Sequence, residues 1–128
     1  HGLMQDAVNQ GARLAHGGQS NDDERFIAPT LLTNVPKDAR IMQEEIFGPL
    51  LPILTYRSLD DVLEHINANE KPLALYLFTK DKGTMQRVMS TTSAGSTGIN
   101  TNMVQYLHGN LPFGGVNNGG IGRPLIPN

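Results

Sequence analysis

Apolar residues open the chain at Leu3, Met4, Ala7, Val8, Ala12, Leu14 and Ala15. That spacing follows a 3.6-residue period and predicts an amphipathic helix over Leu3 to Ala15, weakened at Gly11. Gly17, Gly18, Ser20, Asn21 and Asp22 then form a polar turn. From Phe26 to Val35 the alternation is poor and Pro29 interrupts it, which fits two short strands or one broken edge strand. Leu50 to Tyr56 reads as a strand, and Pro52 argues for an edge position or a bend near its start.

The second half alternates strand and helix. Ser58 with Asp61 three residues later makes a capping box, and Leu59, Val62, Leu63 and Ile66 mark one face of the helix that follows. That helix stops near Asn69, because Pro72 forbids its continuation. Leu73 to Phe78 is apolar without alternation, as in a strand covered on both faces. Asp81 caps a second helix with Met85, Val88 and Met89 on its inner side, and Gly95 to Asn100 supplies a third strand. The order β-α-β-α-β predicts an α/β fold with a parallel or mostly parallel sheet and flanking helices.

Leu111 to Asn128 changes character, with five glycines, three prolines and three asparagines. Glycine loses the most backbone entropy on ordering, so such a segment needs another surface to rest on. The expected organisation is an α/β part over 1–110 and a Gly/Pro-rich loop and tail over 111–128.

Composition narrows the function classes. A chain of 128 residues suits one domain, and 38% hydrophobic with 17% charged residues is not the balance of a disordered protein. The longest apolar stretch, Leu73 to Phe78, is too short to span a bilayer, so no membrane segment is expected. No secretory signal opens the chain, which says little for a fragment, and a cytoplasmic location is the expectation. The net charge of −2 comes from interspersed acids and bases, without the clustered Lys/Arg that binds nucleic acid. Cysteine is absent, which removes disulfides, thiolate metal sites and cysteine nucleophiles together. His1, His16, His65 and His108 lie far apart without ligand spacing, so no metal site is expected. The first strand of the β-α-β-α-β series leads into Tyr56-Arg57-Ser58 rather than a glycine-rich phosphate loop. Gly120-Ile121-Gly122 leads into Arg123-Pro124 with no helix to follow. The chain therefore carries no dinucleotide-binding loop of its own.

Gln43-Glu44-Glu45-Ile46-Phe47-Gly48-Pro49 is the segment richest in possible chemistry. A carboxylate at a cleft edge can accept from two neighbouring hydroxyls, as a ribose presents. An aromatic two residues later falls on the same side of an extended backbone and can line a flat ring. The plain alternative is a surface acidic pair with Phe47 in the core.

Glu44-Glu45-Ile46-Phe47-Gly48-Pro49 resembles the EEIFGP motif of the aldehyde dehydrogenase superfamily. Leu111-Pro112-Phe113-Gly114-Gly115-Val116, at the expected distance downstream, resembles its LPFGGV signature, strongest in the branch of coniferyl and fatty aldehyde dehydrogenases. Phe26 to Leu32, Leu73 to Thr79 and Gly98-Ile99-Asn100 resemble framework strands of the same family, so the likeness runs from roughly Leu3 to Gly122. The resemblance implies the C-terminal part of a catalytic domain. In it Glu45 contacts the ribose of a nicotinamide cofactor, NAD or NADP, and Phe47 packs beside the nicotinamide. Phe113 borders the aldehyde tunnel, with an aromatic anchor for the glycine loop as its equal alternative.

In that family a cysteine thiolate attacks the aldehyde, hydride passes to the cofactor, and a glutamate-assisted water releases the acid. The resemblance places nucleophile, general base and most of the cofactor site on preceding chain, which implies that this chain alone is inactive. It implies an aldehyde substrate, the rest of the dehydrogenase chain as partner, and a homo-oligomeric full-length enzyme. Thr101-Asn102 after Asn100, Asn117-Asn118-Gly119-Gly120 after the FGGV motif, and Arg123 to Asn128 at the end depart from the family pattern. They put the subunit-contact strand in doubt. A stand-alone, non-catalytic binding or assembly module is the competing expectation.

Overall fold

The computed structural model of the chain describes residues 1–107 and 114–115. It is an α/β structure of two compact units, His1 to Thr55 and Tyr56 onward. The boundary expected at 110/111 lies outside the described residues.

In the first unit, α1 (Gly2–Asn9) buries Met4 and Ala7. The helix expected to reach Ala15 ends at Asn9. Gly11 adopts φ +107, its N–H donates to Val8 O at 3.0 Å, and Ala12 N–H donates to Ala7 O at 2.9 Å. These are the paired bonds of a Schellman termination, for which glycine is the favoured residue. Ala12 is then buried as the apolar residue after the turn. Leu14 and Ala15 belong instead to strand β1 (Arg13–His16).

Gly17 follows at φ +75, so close to Pro29 O and Thr30 that a Cβ would collide with backbone. A short hairpin, β2 (Ser20–Asn21) with β3 (Phe26–Ile27), leads to β4 (Thr30–Thr33), so the interrupted segment forms two strands. β4 is the central strand of a sheet, between antiparallel β1 and parallel β5 (Leu50–Ile53). It carries the buried Leu32 and Thr30. Thr30 is satisfied: its hydroxyl donates to Ala28 O at 2.7 Å and accepts from Gly18 N–H at 2.9 Å. Leu32 packs with Ala7, Ala12, Val35, Ala39 and Ile41 as the core of this unit.

The second unit contains α2 (Leu59–Ala68), β6 (Ala74–Leu77), α3 (Lys82–Thr91), β7 (Ser96–Ile99) and α4 (Val104–Leu107). The Ser58–Asp61 capping box forms in both directions, each bond 3.2 Å. Asp81 caps α3 by accepting from Thr84 N–H at 2.6 Å. Leu63 and Val88 are the buried helix residues, while Met89, expected to face inward, is exposed.

The α/β fold expected from the β-α-β-α-β order is present, with a parallel strand pair in each unit. Among the described residues β5 pairs with β4, and β6 pairs only with β7, in parallel. Pro52, opposite Leu32, has no N–H to extend a ladder, and β5 accordingly ends its sheet as the edge strand. β6 is also less enclosed than expected, with Leu73 and Phe78 exposed at its ends and its four residues half-buried. No described helix is long and apolar enough to cross a membrane.

Candidate functional site

The segment Gln43 to Pro49 is presented by a short 3-10 turn, Arg40–Met42. Pro36 starts the descent into it, with Ala39 N–H donating to Pro36 O at 3.1 Å. Ile41 is buried and Met42 packs against the same core. Arg40 O then accepts from both Gln43 N–H and Glu44 N–H at 2.9 Å, while the Gln43 side chain donates to Lys37 O at 2.9 Å. The turn is tied to α1 as well, since Arg40 N–H donates to Asp6 Oδ2 at 3.0 Å.

From this base the chain runs over the core with one inward side chain. Ile46 packs on the core cluster, whereas Glu45 and Phe47 on either side of it are exposed. Phe47 is 88% exposed, which excludes its placement in the core of this unit. Pro49 O accepts from Thr30 N–H at 2.8 Å and fixes the far end of the segment to β4. Glu45 and Phe47 thus share a loop anchored at its start, middle and end.

The two adjacent glutamates have different environments. Arg40 holds Glu44 through both carboxylate oxygens, Nε to Oε1 at 2.7 Å and an outer nitrogen to Oε2 at 3.1 Å. These hydrogen bonds, with the attached charge, keep the Glu44 carboxyl below its ordinary range and raise the Arg40 guanidinium. The Glu45 carboxylate has no hydrogen-bond or ion-pair partner among the described residues. What the arrangement offers is one neutralised carboxylate, one free acceptor pair, and an uncovered aromatic ring.

Phe113 lies outside the described residues. Its neighbours Gly114 and Gly115 are described, and they lie against Gly95. A Cβ at Gly95 would sit 2.5 Å from Gly114 O and 2.6 Å from Leu73 O, so only glycine permits this approach. Among the described residues no group of three His, Asp or Glu side chains could hold a metal ion. Sequence reasoning passed over Arg40 and Asp6. The signal for Arg40 was present, a cation four residues before Glu44.

Comparison with known proteins places the chain in a family. The model of the Aldehyde dehydrogenase family matches residues 1–128. The chain is similar to 4,4'-diaponeurosporen-aldehyde dehydrogenase of Staphylococcus aureus, 51% identical over 110 residues, covering 86% of this chain and 24% of that protein. It is also similar to aldehyde dehydrogenase family 3 member B1 of Mus musculus, 49% identical over 111 residues, 87% of this chain and 24% of the other. Among solved structures, the substrate-bound state of Staphylococcus aureus AldH superposes with a TM-score of 0.86 at 48% identity, over 95% of this chain and 26% of that one. The chain spans about a quarter of the length of the curated relatives it matches.

Proposed function

The chain belongs to the aldehyde dehydrogenase family, and from that premise we propose that it is the C-terminal part of an NAD(P)-dependent enzyme oxidising an aldehyde to a carboxylic acid. The observation that carries this reading is the anchored loop with Glu45 free and Phe47 uncovered. A free carboxylate accepts from the two hydroxyls of a ribose, and an uncovered aromatic ring lies against a flat heterocycle and keeps water from it. The residues present therefore fit a nicotinamide nucleotide, which when bound accepts hydride from the substrate carbon. Glu45 orients it through the ribose, and Phe47 lines the face beside the nicotinamide.

Phe113 borders the aldehyde path in this reading, within the branch of coniferyl and fatty aldehyde dehydrogenases, where the LPFGGV motif is strongest. The chain contains no cysteine. A thiolate nucleophile, the general base and most of the cofactor site then come from another part of the polypeptide, and residues 1–128 alone are inactive. Exposed apolar side chains support such a neighbour: Leu51 and Ile53 on β5, Leu54 and Tyr56 after it, and Leu73 and Phe78 beside β6. The whole enzyme is a cytoplasmic homo-oligomer in this reading.

The test is Glu45→Gln in the polypeptide that carries this segment. Loss of one charged acceptor raises KM for NAD(P)+ by about tenfold while aldehyde KM stays near its original value. An unchanged cofactor KM would remove Glu45 from the cofactor site.

A further inference from the structure

Two adjacent glutamates precede Ile46, and of the two Glu45 has no partner among the described residues. What separates them is Arg40. Its planar guanidinium grips both oxygens of Glu44, and its carbonyl accepts the Glu44 N–H, so backbone and side chain close the same turn. The Arg40 N–H is in turn held by Asp6 on α1. Without the guanidinium, two like charges would stand side by side on one short loop, and either could swing toward a bound hydroxyl.

We infer that Arg40 is a positioning residue for the cofactor: by clamping Glu44 it leaves Glu45 as the single carboxylate presented to the ribose. The inference rests on the proposed role of Glu45. Both side chains of the pair are about half exposed, and ion pairs in that setting contribute little to stability. The consequence of the clamp is therefore orientation rather than folding. A bidentate fork is a property of arginine; lysine retains the charge and loses the fixed geometry.

The experiment measures KM for NAD(P)+, kcat and thermal midpoint for Arg40→Met, Arg40→Lys, Glu44→Gln, Arg40→Met/Glu44→Gln and Glu45→Gln in the polypeptide that carries this segment. Arg40→Met raises cofactor KM by about tenfold with kcat within about twofold and the midpoint nearly unchanged. Arg40→Lys recovers only part of the loss. Glu44→Gln in the Arg40→Met background removes the competing carboxylate and recovers most of the lost cofactor affinity, because the two residues act as a unit. If Arg40→Met does not fold, Arg40→Lys carries the same KM readout, while Glu44→Gln alone, which leaves Glu45 the single carboxylate, keeps cofactor KM near its original value. A cofactor KM that Glu45→Gln raises and Arg40→Met leaves alone overturns the role of Arg40 while the ribose reading stands. A cofactor KM insensitive to Glu45→Gln overturns both.

Discussion

The side-chain amide of Asn100 makes two hydrogen bonds with the backbone of Thr79, accepting from its N–H and donating to its C=O, each at 2.9 Å. Asn100 N–H also donates to Leu77 O at 2.8 Å, and the residue adopts φ +53. One side chain thus joins the ends of β6 and β7 in a left-handed conformation that asparagine tolerates better than most residues. Asn100→Ala removes both amide bonds and keeps the strained φ, with an expected loss of about 1–3 kcal/mol. Asn100→Gly loses the bonds but relieves the φ, so its thermal midpoint falls between alanine and wild type. Thermal unfolding of the three proteins checks that order.

At Gly95 backbone geometry excludes a side chain. The atoms a methyl group would strike, Gly114 O and Leu73 O, both belong to the backbone and cannot rotate away. Gly95→Ala is expected to cost about 1–3 kcal/mol and to loosen Gly114–Gly115 from the strand ends. Hydrogen exchange of those two amides should rise in the variant, whereas an unchanged rate would show that the contact is not tight.

The Asp81 carboxyl is held below its ordinary value by its hydrogen bonds to Thr84, side chain first and backbone next. A depressed folded-state pKa means the cap contributes fully above the ordinary aspartate value, near about pH 4, and loses its contribution as pH falls through the lowered one. Asn caps a helix about as well as Asp without titrating there. Asp81→Asn should therefore lose less of its thermal midpoint than wild type as the pH is lowered below about 4. Parallel acid-induced decline in both proteins would show that the cap does not contribute to the pH dependence.

At Phe47 the proposed cofactor contact and folding can be tested apart. A ring that is 88% exposed contributes little to the core, so Phe47→Ala should change stability by less than about 0.5 kcal/mol. The same variant should bind NAD(P)H more weakly, as followed by cofactor fluorescence. A large drop in thermal midpoint with unaltered cofactor binding would return Phe47 to a packing role.

Local chemistry was the most legible part of the sequence. Ser58 caps α2 together with Asp61 in its first turn, and Asp81 caps α3, because a cap needs only neighbours within three residues. The early helix misled because Ala12, Leu14 and Ala15 continue its period past Gly11 by coincidence. Ala12 is buried by the turn itself, and the other two lie on a strand. Strand pairing was hidden for a different reason. The β4–β5 ladder joins Leu32 to Pro52 across 20 residues, and no local pattern states which strand a given strand will choose. At the site, Glu45 and Phe47 were picked out by resemblance to a motif. The structure adds that both are exposed, on either side of Ile46, which packs on the core. Arg40 was legible only as a charge spacing, since its bidentate grip on Glu44 depends on the 3-10 turn beneath it.

The most direct test of the central claim is the mass of the native polypeptide recognised by an antibody raised against residues 1–107. The account predicts a band about four times the mass of this chain, because the chain spans 24% of a relative to which it is 51% identical. A band at the mass of this chain alone would contradict it, leaving a protein of the same family without the segment that carries the nucleophile.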